Sequence, residues 1–428
     1  MIQKMKGTYD IYGKEGKRYL YLMDMLADLM AVYHYQYIKV PLFEASEVFH
    51  RGVGETTDIV TKETYDFEDR GGRAITLRPE ITAGIVRSFI ENKMYGNATQ
   101  PVKLYSYGEA FRYERPQSGR NRQLHQIDVE VFGSNSPLLD AEVISIPVTF
   151  LRLLGLKGIK VHVNSLGDTE SRLAYKQALL DYLAPHISDM CEDCQSRYLK
   201  NPLRILDCKV DAEKEVLKNV PKMQEYWNED SKTHFEQVLT YLDALGIEYI
   251  VDPKLVRGLD YYTNTVFEIE ADIKGFGAQN VLCGGGRYNG LVETLDGPAT
   301  PGIGFAIGVE RLLLALAAEE IQFPDEDEVD LYVISLDTPK ETLELVHMLR
   351  VNGFVTEMDY LDKSMKNQFK QAERYQANYV LIVGEEEVAT KTVKVKDQET
   401  HEEKRVAIDD LVAYLDEKME DCHEEHTE

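Results

Sequence analysis

Two strand-forming arms, residues 103–114 and 122–132, flank the polar loop Pro116-Gln117-Ser118-Gly119-Arg120-Asn121, and arms so placed pair as an antiparallel hairpin. A chain carrying such a hairpin needs a sheet to hold it. The segment Phe111-Arg112-Tyr113-Glu114 sets Arg112 and Glu114 two residues apart, so on a strand both face one side. On the return arm Gln126, Asp128 and Glu130 share one parity. Together they make a polar floor that is costly to turn into an apolar core. One outlet is a solvent-facing ribbon laced with salt bridges. The other is a ligand: a guanidinium fork beside a carboxylate suits a nucleotide, the cation meeting phosphate and the anion accepting from an amino group. Arg115, Arg120 and Arg122, in and beside the loop, add cations with almost no compensating acid. Phosphate is their natural partner.

Those arginines stand out because the chain carries a formal charge of -26 at pH 7. Charge of that sign repels a polyanion at long range, so any RNA partner must be held by local basic patches. At 428 residues the chain exceeds one ordinary core, and two or three domains are expected. No segment approaches the roughly 20 apolar residues of a membrane span, and the first residues lack the apolar core of a signal peptide. A cytoplasmic location without a membrane partner is expected. The five cysteines, Cys191, Cys194, Cys208, Cys283 and Cys422, are few and unevenly spaced for a secreted disulfide framework, so reduced thiols are expected. Cys191-x-x-Cys194 with Cys208 suggests zinc, with His186 the nearest candidate for a fourth ligand; structural thiols are the alternative, and no metal ligand is assigned.

Along the chain, a helical pattern at about 14–36 (Tyr19, Leu22, Met23, Leu26, Leu29, Met30) gives way to an extended run at 37–42 that contains Pro41. Asp69-Arg70-Gly71-Gly72 turns a short hairpin, and a helix starts after Pro79. Helical patterns at about 138–185 flank a strand at 159–163, and about 186–250 reads as an insertion, irregular and then helical. Strands return at 261–269 and 302–307, and an apolar helix follows. The acidic run Asp325-Glu326-Asp327-Glu328 is the expected linker between a domain at 1–324 and an α/β unit at 329–428, with strands expected at 331–335, 354–357 and 379–383. The acidic tail beyond Met419 is expected to fray.

Four further segments carry residues with chemistry. Leu255-Val256-Arg257-Gly258-Leu259-Asp260-Tyr261-Tyr262 puts Arg257 beside a flexible glycine and pairs two tyrosines; strand alternation would pack one ring and turn the other to a ligand. In Cys283-Gly284-Gly285-Gly286-Arg287-Tyr288 three glycines supply no core, which argues for close backbone approach or a tight turn. Its flanks and spacing exclude a Rossmann fingerprint. Residues 302–312 alternate small and apolar side chains, then place Arg311 in a first helical turn, where the dipole disfavours a cation unless an anion lies near. Glu80, in Leu77-Arg78-Pro79-Glu80-Ile81-Thr82, stands at a helix start, where capping alone would explain it.

Together and in this order these segments resemble the class II aminoacyl-tRNA synthetases, and specifically the histidyl-tRNA synthetases, over essentially the whole chain. Residues 37–44 are similar to the dimer-forming first class motif, 111–132 to the second and 302–314 to the third. Residues 255–262 and 283–288 are similar to the two signatures peculiar to the histidine enzymes. The resemblance implies an α+β catalytic domain on a six-stranded antiparallel sheet flanked by helices, a helical insertion, a C-terminal α/β anticodon-binding domain and a homodimer. It implies activation of L-histidine by ATP, with Mg2+, to histidyl-adenylate and pyrophosphate, then transfer to the 3′ end of tRNA(His).

By the same resemblance Arg112 clamps the α-phosphate of ATP, Glu114 reads the adenine amino group, Arg120 holds the distal phosphates and Arg311 lies over the adenine ring. Arg257 matches the arginine that neutralises α-phosphate charge as the histidine carboxylate attacks. Glu80, Thr82 and Gln126 match residues holding the α-amino and carboxylate ends, and Glu130, Tyr262 and Tyr288 match readers of the side chain. A neutral imidazole offers one donor and one acceptor on opposite edges, and a site built for both leaves buried groups unpaired with any other side chain. Arg115 and Gln117 match contacts to the tRNA acceptor end, marked in this family by an extra 5′ guanosine. Ile81 departs from the family's usual glycine, and would either crowd the amino-group pocket or face the sheet. Two rivals share the core: a synthetase-like regulatory subunit of ATP phosphoribosyltransferase, which usually lacks the second signature and the C-terminal domain, and a class II enzyme for glycine, threonine or proline, against which Glu130, Tyr262 and Tyr288 speak.

Overall fold

The computed structural model describes residues 1–428 except 55, 56, 58, 207, 209, 274–279, 324–328 and 426–428. They form two compact units, Met1–Gln322 and Phe323–Glu428. The expected linker at 325–328 lies outside the described residues.

Strands of the first unit run in chain order as β1 Gln36–Tyr37, β2 Phe43–Ala45, β3 Tyr65–Glu68, β4 Ala74–Leu77, β5 Val102–Phe111, β6 Gln123–Phe132, β7 Ile159–Ser165, β8 Tyr249–Val251, β9 Thr263–Ala271, β10 Val281–Arg287 and β11 Gly302–Gly308. β2, β4 and β3 form a small sheet, and the rest lie in the order β1-β5-β6-β11-β10-β9-β7-β8. Its six inner strands are antiparallel to one another, as expected. β1 and β8 add a parallel edge at either side, making the sheet eight-stranded and mixed.

The hairpin that the sequence demands is β5–β6, in register from Val102 opposite Phe132 to Phe111 opposite Gln123. Arg112 and Glu114 therefore lie beyond the end of β5, and strand parity does not place them. The extended run at 37–42 is likewise not one strand. Pro41 has no N–H to give a ladder, and the carbonyl of Val40 accepts from the buried Arg78 guanidinium at 3.0 Å instead of from a neighbouring strand.

The helix Gly13–Val32 buries Leu22, Met23, Leu26, Leu29 and Met30, the face its period-3.6 pattern predicts. Behind the sheet the helix Pro137–Leu153 starts with Ser136 as cap and proline in its first turn. It carries the fully buried Asp140. That carboxylate accepts from Arg287 Nε at 2.8 Å and from Thr265 Oγ1 at 2.6 Å, and His234 Nε2 lies 2.8 Å away. Arg287 also donates to the carbonyls of Ser134 and Ser136 at 2.9 and 3.0 Å. Because removing one partner strands a buried charge, Asp140→Ala is expected to cost about 3–5 kcal/mol of stability. Urea unfolding of the full chain measures it, and a loss under about 1 kcal/mol would contradict the account.

The insertion has its own small core, in which Leu217 and Met223 pack with Tyr175, Leu179 and Leu183 of the helix Thr169–Leu183, upstream of residue 186. The second unit holds β12 Leu331–Ser335, β13 Thr356–Met358, β14 Tyr379–Val383, β15 Thr392–Asp397 and β16 Glu403–Ala407, in the order β13-β12-β14-β15-β16. The first three are parallel, as an α/β unit requires. The antiparallel hairpin β15–β16 was not expected: its alternating Val393 and Val395 are buried, but Lys394 and Lys396 interleaved with them mask a short strand. The helix Leu411–Glu425 continues past Met419, where fraying was expected. Among the described residues no helix is long and apolar enough to cross a membrane.

Candidate active site

β6 supplies the floor. Gln126, Asp128 and Glu130 are 8%, 1% and 1% exposed, and they line a cleft of about 1170 Å³ counting its open mouth. Gln126 Oε1 and both Asp128 carboxylate oxygens have no hydrogen-bond partner among the described residues. Polar groups are costly to bury unmet, so the floor is built for a ligand that hydrogen-bonds.

Glu130 is the most constrained group. Thr82 Oγ1 donates to its Oε1 at 2.6 Å, and the Tyr288 hydroxyl donates to its Oε2. Across the sheet it pairs with Gly304 of β11, where any Cβ would overlap the carboxylate. Small residues in the third segment thus make room for this side chain. Burial pushes the Glu130 carboxyl up to about 8 from its ordinary 4.5, against the lowering effect of the Thr82 and Tyr288 hydrogen bonds and with a further push from Glu80. Burial also raises Glu80, opposed by bonds from the Ala83 amide and Thr82 and by the Arg112 charge. Asp128 is held well above the usual carboxylate range, first by burial and then by Glu130 and Glu80.

The raised Glu130 has a pH consequence. Between its ordinary value and about 8 the folded chain keeps a proton that the unfolded chain has released, so this contribution to stability is complete below the ordinary value and is lost as pH rises through the folded one. The unfolding temperature of ligand-free protein is expected to fall more steeply across that window in the parent than in Glu130→Gln. Equal slopes would refute it.

The other end of the cleft is cationic. Arg112 Nε is fixed by the carbonyl of Pro79 at 2.8 Å, Arg120 stands 3.7 Å from Glu114, and Arg311 Nη1 donates to the carbonyl of Val281 at 3.1 Å. Burial lowers the pKa of Arg311, and repulsion from Arg120 and Arg112 lowers it further. A bound anion would relieve that repulsion. Arg257 pairs with Glu268 and lies 5.6 Å from the Tyr262 ring centroid, its Nε unpartnered among the described residues. A Cβ on Gly284 would overlap its guanidinium, which accounts for glycine at that point of β10.

The cleft gathers Glu80, Thr82, Arg112, Glu114, Arg120, Gln126, Glu130, Arg257, Tyr262, Tyr288 and Arg311 from six separate stretches of chain. Arg115 and Gln117 are exposed and outside its lining; Gln117 and Arg120 exchange backbone hydrogen bonds at 3.0 and 2.9 Å in the loop. Glu80 both caps, accepting from the Ala83 amide at 2.9 Å, and lines the cleft. Ile81 is fully buried in the cluster that holds Val40, Ile85 and Phe89 and is not among the residues lining the cleft, so it does not crowd the pocket. The two tyrosines precede β9, so alternation does not separate them: both line the cleft, ring centroids 4.6 Å apart. Sequence reasoning missed Tyr261 as a lining residue, gave Asp128 no role and did not find Glu268. Asp128 shared the parity of its neighbours; Glu268 became visible only through the register that sets it opposite Gly284.

Comparison with known proteins agrees with this layout. A family model described as histidyl-tRNA synthetase matches residues 7–312, and one described as an anticodon binding domain matches 330–418. A histidine–tRNA ligase of Anoxybacillus flavithermus is 51% identical over 412 residues, 96% of this chain and 97% of that protein. The structure of apo S. aureus histidyl-tRNA synthetase aligns with a TM-score of 0.83 at 41% identity, covering 97% of this chain and 100% of that one. A structure described as an ATP phosphoribosyltransferase regulatory subunit/histidyl-tRNA synthetase from Bacillus halodurans C aligns with a TM-score of 0.65 at 20% identity, covering 89% of this chain and 98% of that one, a likeness of fold alone.

An antiparallel six-strand core under a cleft with one acidic and one arginine-rich end, together with a matched anticodon-binding segment, defines a class II aminoacyl-tRNA synthetase. The family model and the relative near half identity narrow this further. The chain belongs to the histidyl-tRNA synthetase family.

Proposed function

We propose that the cleft activates L-histidine with ATP and then charges tRNA(His). A histidine carboxylate oxygen attacks the α-phosphorus, the bond to the β-phosphate oxygen breaks, and pyrophosphate leaves. Arg112 and Arg257 neutralise the charge on the α-phosphate, Arg120 holds the distal phosphates, Glu114 accepts from the adenine amino group and Arg311 covers the ring. ATP enters as its magnesium complex, the ion carried with the substrate. Glu80, Thr82 and Gln126 receive the amino and carboxylate ends. Glu130 takes the imidazole N–H, with Tyr262 and Tyr288 completing the side-chain pocket. In the second step the 3′ hydroxyl of the terminal adenosine attacks the adenylate carbonyl and AMP leaves, with Arg115 and Gln117 on the acceptor end and the 330–418 segment on the anticodon.

The observation that carries this reading is Glu130, a carboxylate locked between Thr82 and Tyr288 in a cleft that also holds four arginines. An imidazole, with one donor and one acceptor, is the side chain that matches a buried carboxyl beside phenols. The regulatory-subunit reading is the less supported, since the 51% identical relative is a ligase. A homodimer fits the exposed Tyr37, Leu42 and Phe43 of the first motif segment, an apolar face for a second copy, and a cytoplasmic enzyme fits the family. ATP–pyrophosphate exchange across the twenty amino acids tests the proposal: exchange with histidine alone is expected. Exchange with a different amino acid, or with none, would reject it.

A further inference from the structure

The insertion contains a second constellation, apart from the cleft's ligand chemistry. Cys191, Cys194, Cys208 and Asp211 each bring one ligand atom, and all four atoms lie within 4.8 Å of one another. We propose that they hold a single zinc ion that staples the insertion together. His186, the nearest histidine in sequence, is not among the four; Asp211 takes the place expected of it. Asp211 escapes a search restricted to cysteine and histidine, yet Cys208-x-x-Asp211 repeats the spacing of Cys191-x-x-Cys194.

The distances favour a metal over a disulfide. Cys191 Sγ and Cys208 Sγ are 3.7 Å apart, and Cys208 Sγ is 3.9 Å from Asp211 Oδ2. Four ligands around zinc, with Zn–S about 2.3 Å and Zn–O about 2.0 Å, have tetrahedral edges of about 3.8 Å between sulfurs and about 3.5 Å between sulfur and oxygen. A disulfide needs about 2.05 Å and would leave one of three thiols unused. Three sulfurs with one carboxylate suit a borderline-soft, tetrahedral divalent ion rather than calcium or magnesium, which take oxygens.

The surroundings are those of ligands already held in place. The Asp211 amide donates to Cys208 Sγ at 3.4 Å, and the Cys191 amide donates to Asp211 Oδ2 at 2.9 Å. Lys214 Nζ is 2.8 Å from Asp211 Oδ1, a cation that offsets part of the excess negative charge three thiolates and a carboxylate would carry around a divalent ion. Cys194, Cys208 and Asp211 are 0%, 4% and 1% exposed. The need for a staple is also plain. Between the helices Thr169–Leu183 and Glu229–Ala244 the chain offers only a nine-residue helix, a four-residue one and 3-10 turns among the described residues. Such short pieces gain little from helical bonding alone, so a metal would add to the small core they share. Zinc would join Cys191 and Cys194 to Cys208 and Asp211 and hold the helix Glu192–Lys200, whose following Asn201 hydrogen-bonds Asp260 of the first histidine signature.

The test uses untagged full-length protein prepared without chelator. Metal analysis is expected to find about one zinc per chain, and cobalt substitution to give a thiolate-to-metal charge-transfer band. Cys191→Ser and Asp211→Asn are each expected to lower zinc content at least about tenfold after dialysis against a weak chelator, and to lower the unfolding temperature. Cys422→Ser is expected to keep full zinc. Asp211→Asn retains all three thiols and nearly the same shape, so circular dichroism on it separates lost metal from lost fold. Protein that takes up no zinc on reconstitution, zinc unmoved by both variants, or a Cys191–Cys208 disulfide found by non-reducing peptide mapping would each overturn the proposal. None of these results depends on pyrophosphate exchange.

Discussion

Arg257→Ala is expected to slow histidine-dependent pyrophosphate exchange by about a thousandfold while the histidine KM moves less than about tenfold. The asymmetry follows from position. Arg257 is held by Glu268 on one side and lies near the Tyr262 ring on the other; backbone without a side chain at Gly284 gives the guanidinium its space. A cation so fixed is organised before substrate arrives, and in the proposed reaction its worth is greatest when charge builds on the α-phosphate. Removing it takes away stabilisation of the transition state more than of bound histidine. Arg257→Lys keeps the charge but not the two-pronged fork, and an intermediate loss is expected. Unchanged turnover in the alanine variant would remove Arg257 from the reaction.

Glu130→Ala is expected to lower kcat/KM for histidine by about 10⁴-fold with little change in the ATP KM. The size comes from what the deletion leaves behind. Thr82 and Tyr288 both donate to this carboxylate, and in its absence two buried hydroxyls lose their acceptor along with the imidazole. Glu130→Gln keeps the shape and one acceptor oxygen, so a smaller loss is expected. Separate titrations of histidine and ATP in the exchange assay read the difference. If the ATP KM rises as much as the histidine term falls, Glu130 is a general support of the cleft rather than a reader of the side chain.

Much of this site was legible beforehand because it rests on local patterns. The parity of Gln126, Asp128 and Glu130, the arginines of the hairpin loop and the glycine run of β10 are all visible in stretches of ten residues. Where inference from strand parity failed, it failed at strand ends. Arg112, Glu114, Tyr261 and Tyr262 all lie just outside the strands that were expected to orient them, and a boundary misplaced by about two or three residues removes the parity argument. Ile81 shows the converse. Its identity at a departing position left crowding of the pocket and facing the sheet both open, and only its burial in the cluster with Val40 and Phe89 decided between them.

Period-2 and period-3.6 alternation, turn residues and polar parity are properties of neighbouring residues, so they settled the order of elements, the hairpin and the polar floor before any contact was known. The fold alone decided which distant residues meet. Gly304 faces Glu130, Glu268 faces Gly284, Asp140 holds Arg287, and Asp211 joins three cysteines. Such meetings depend on sheet register and on the packing of segments far apart in the chain, which are settled by the sum of contacts across the molecule and by no local stretch.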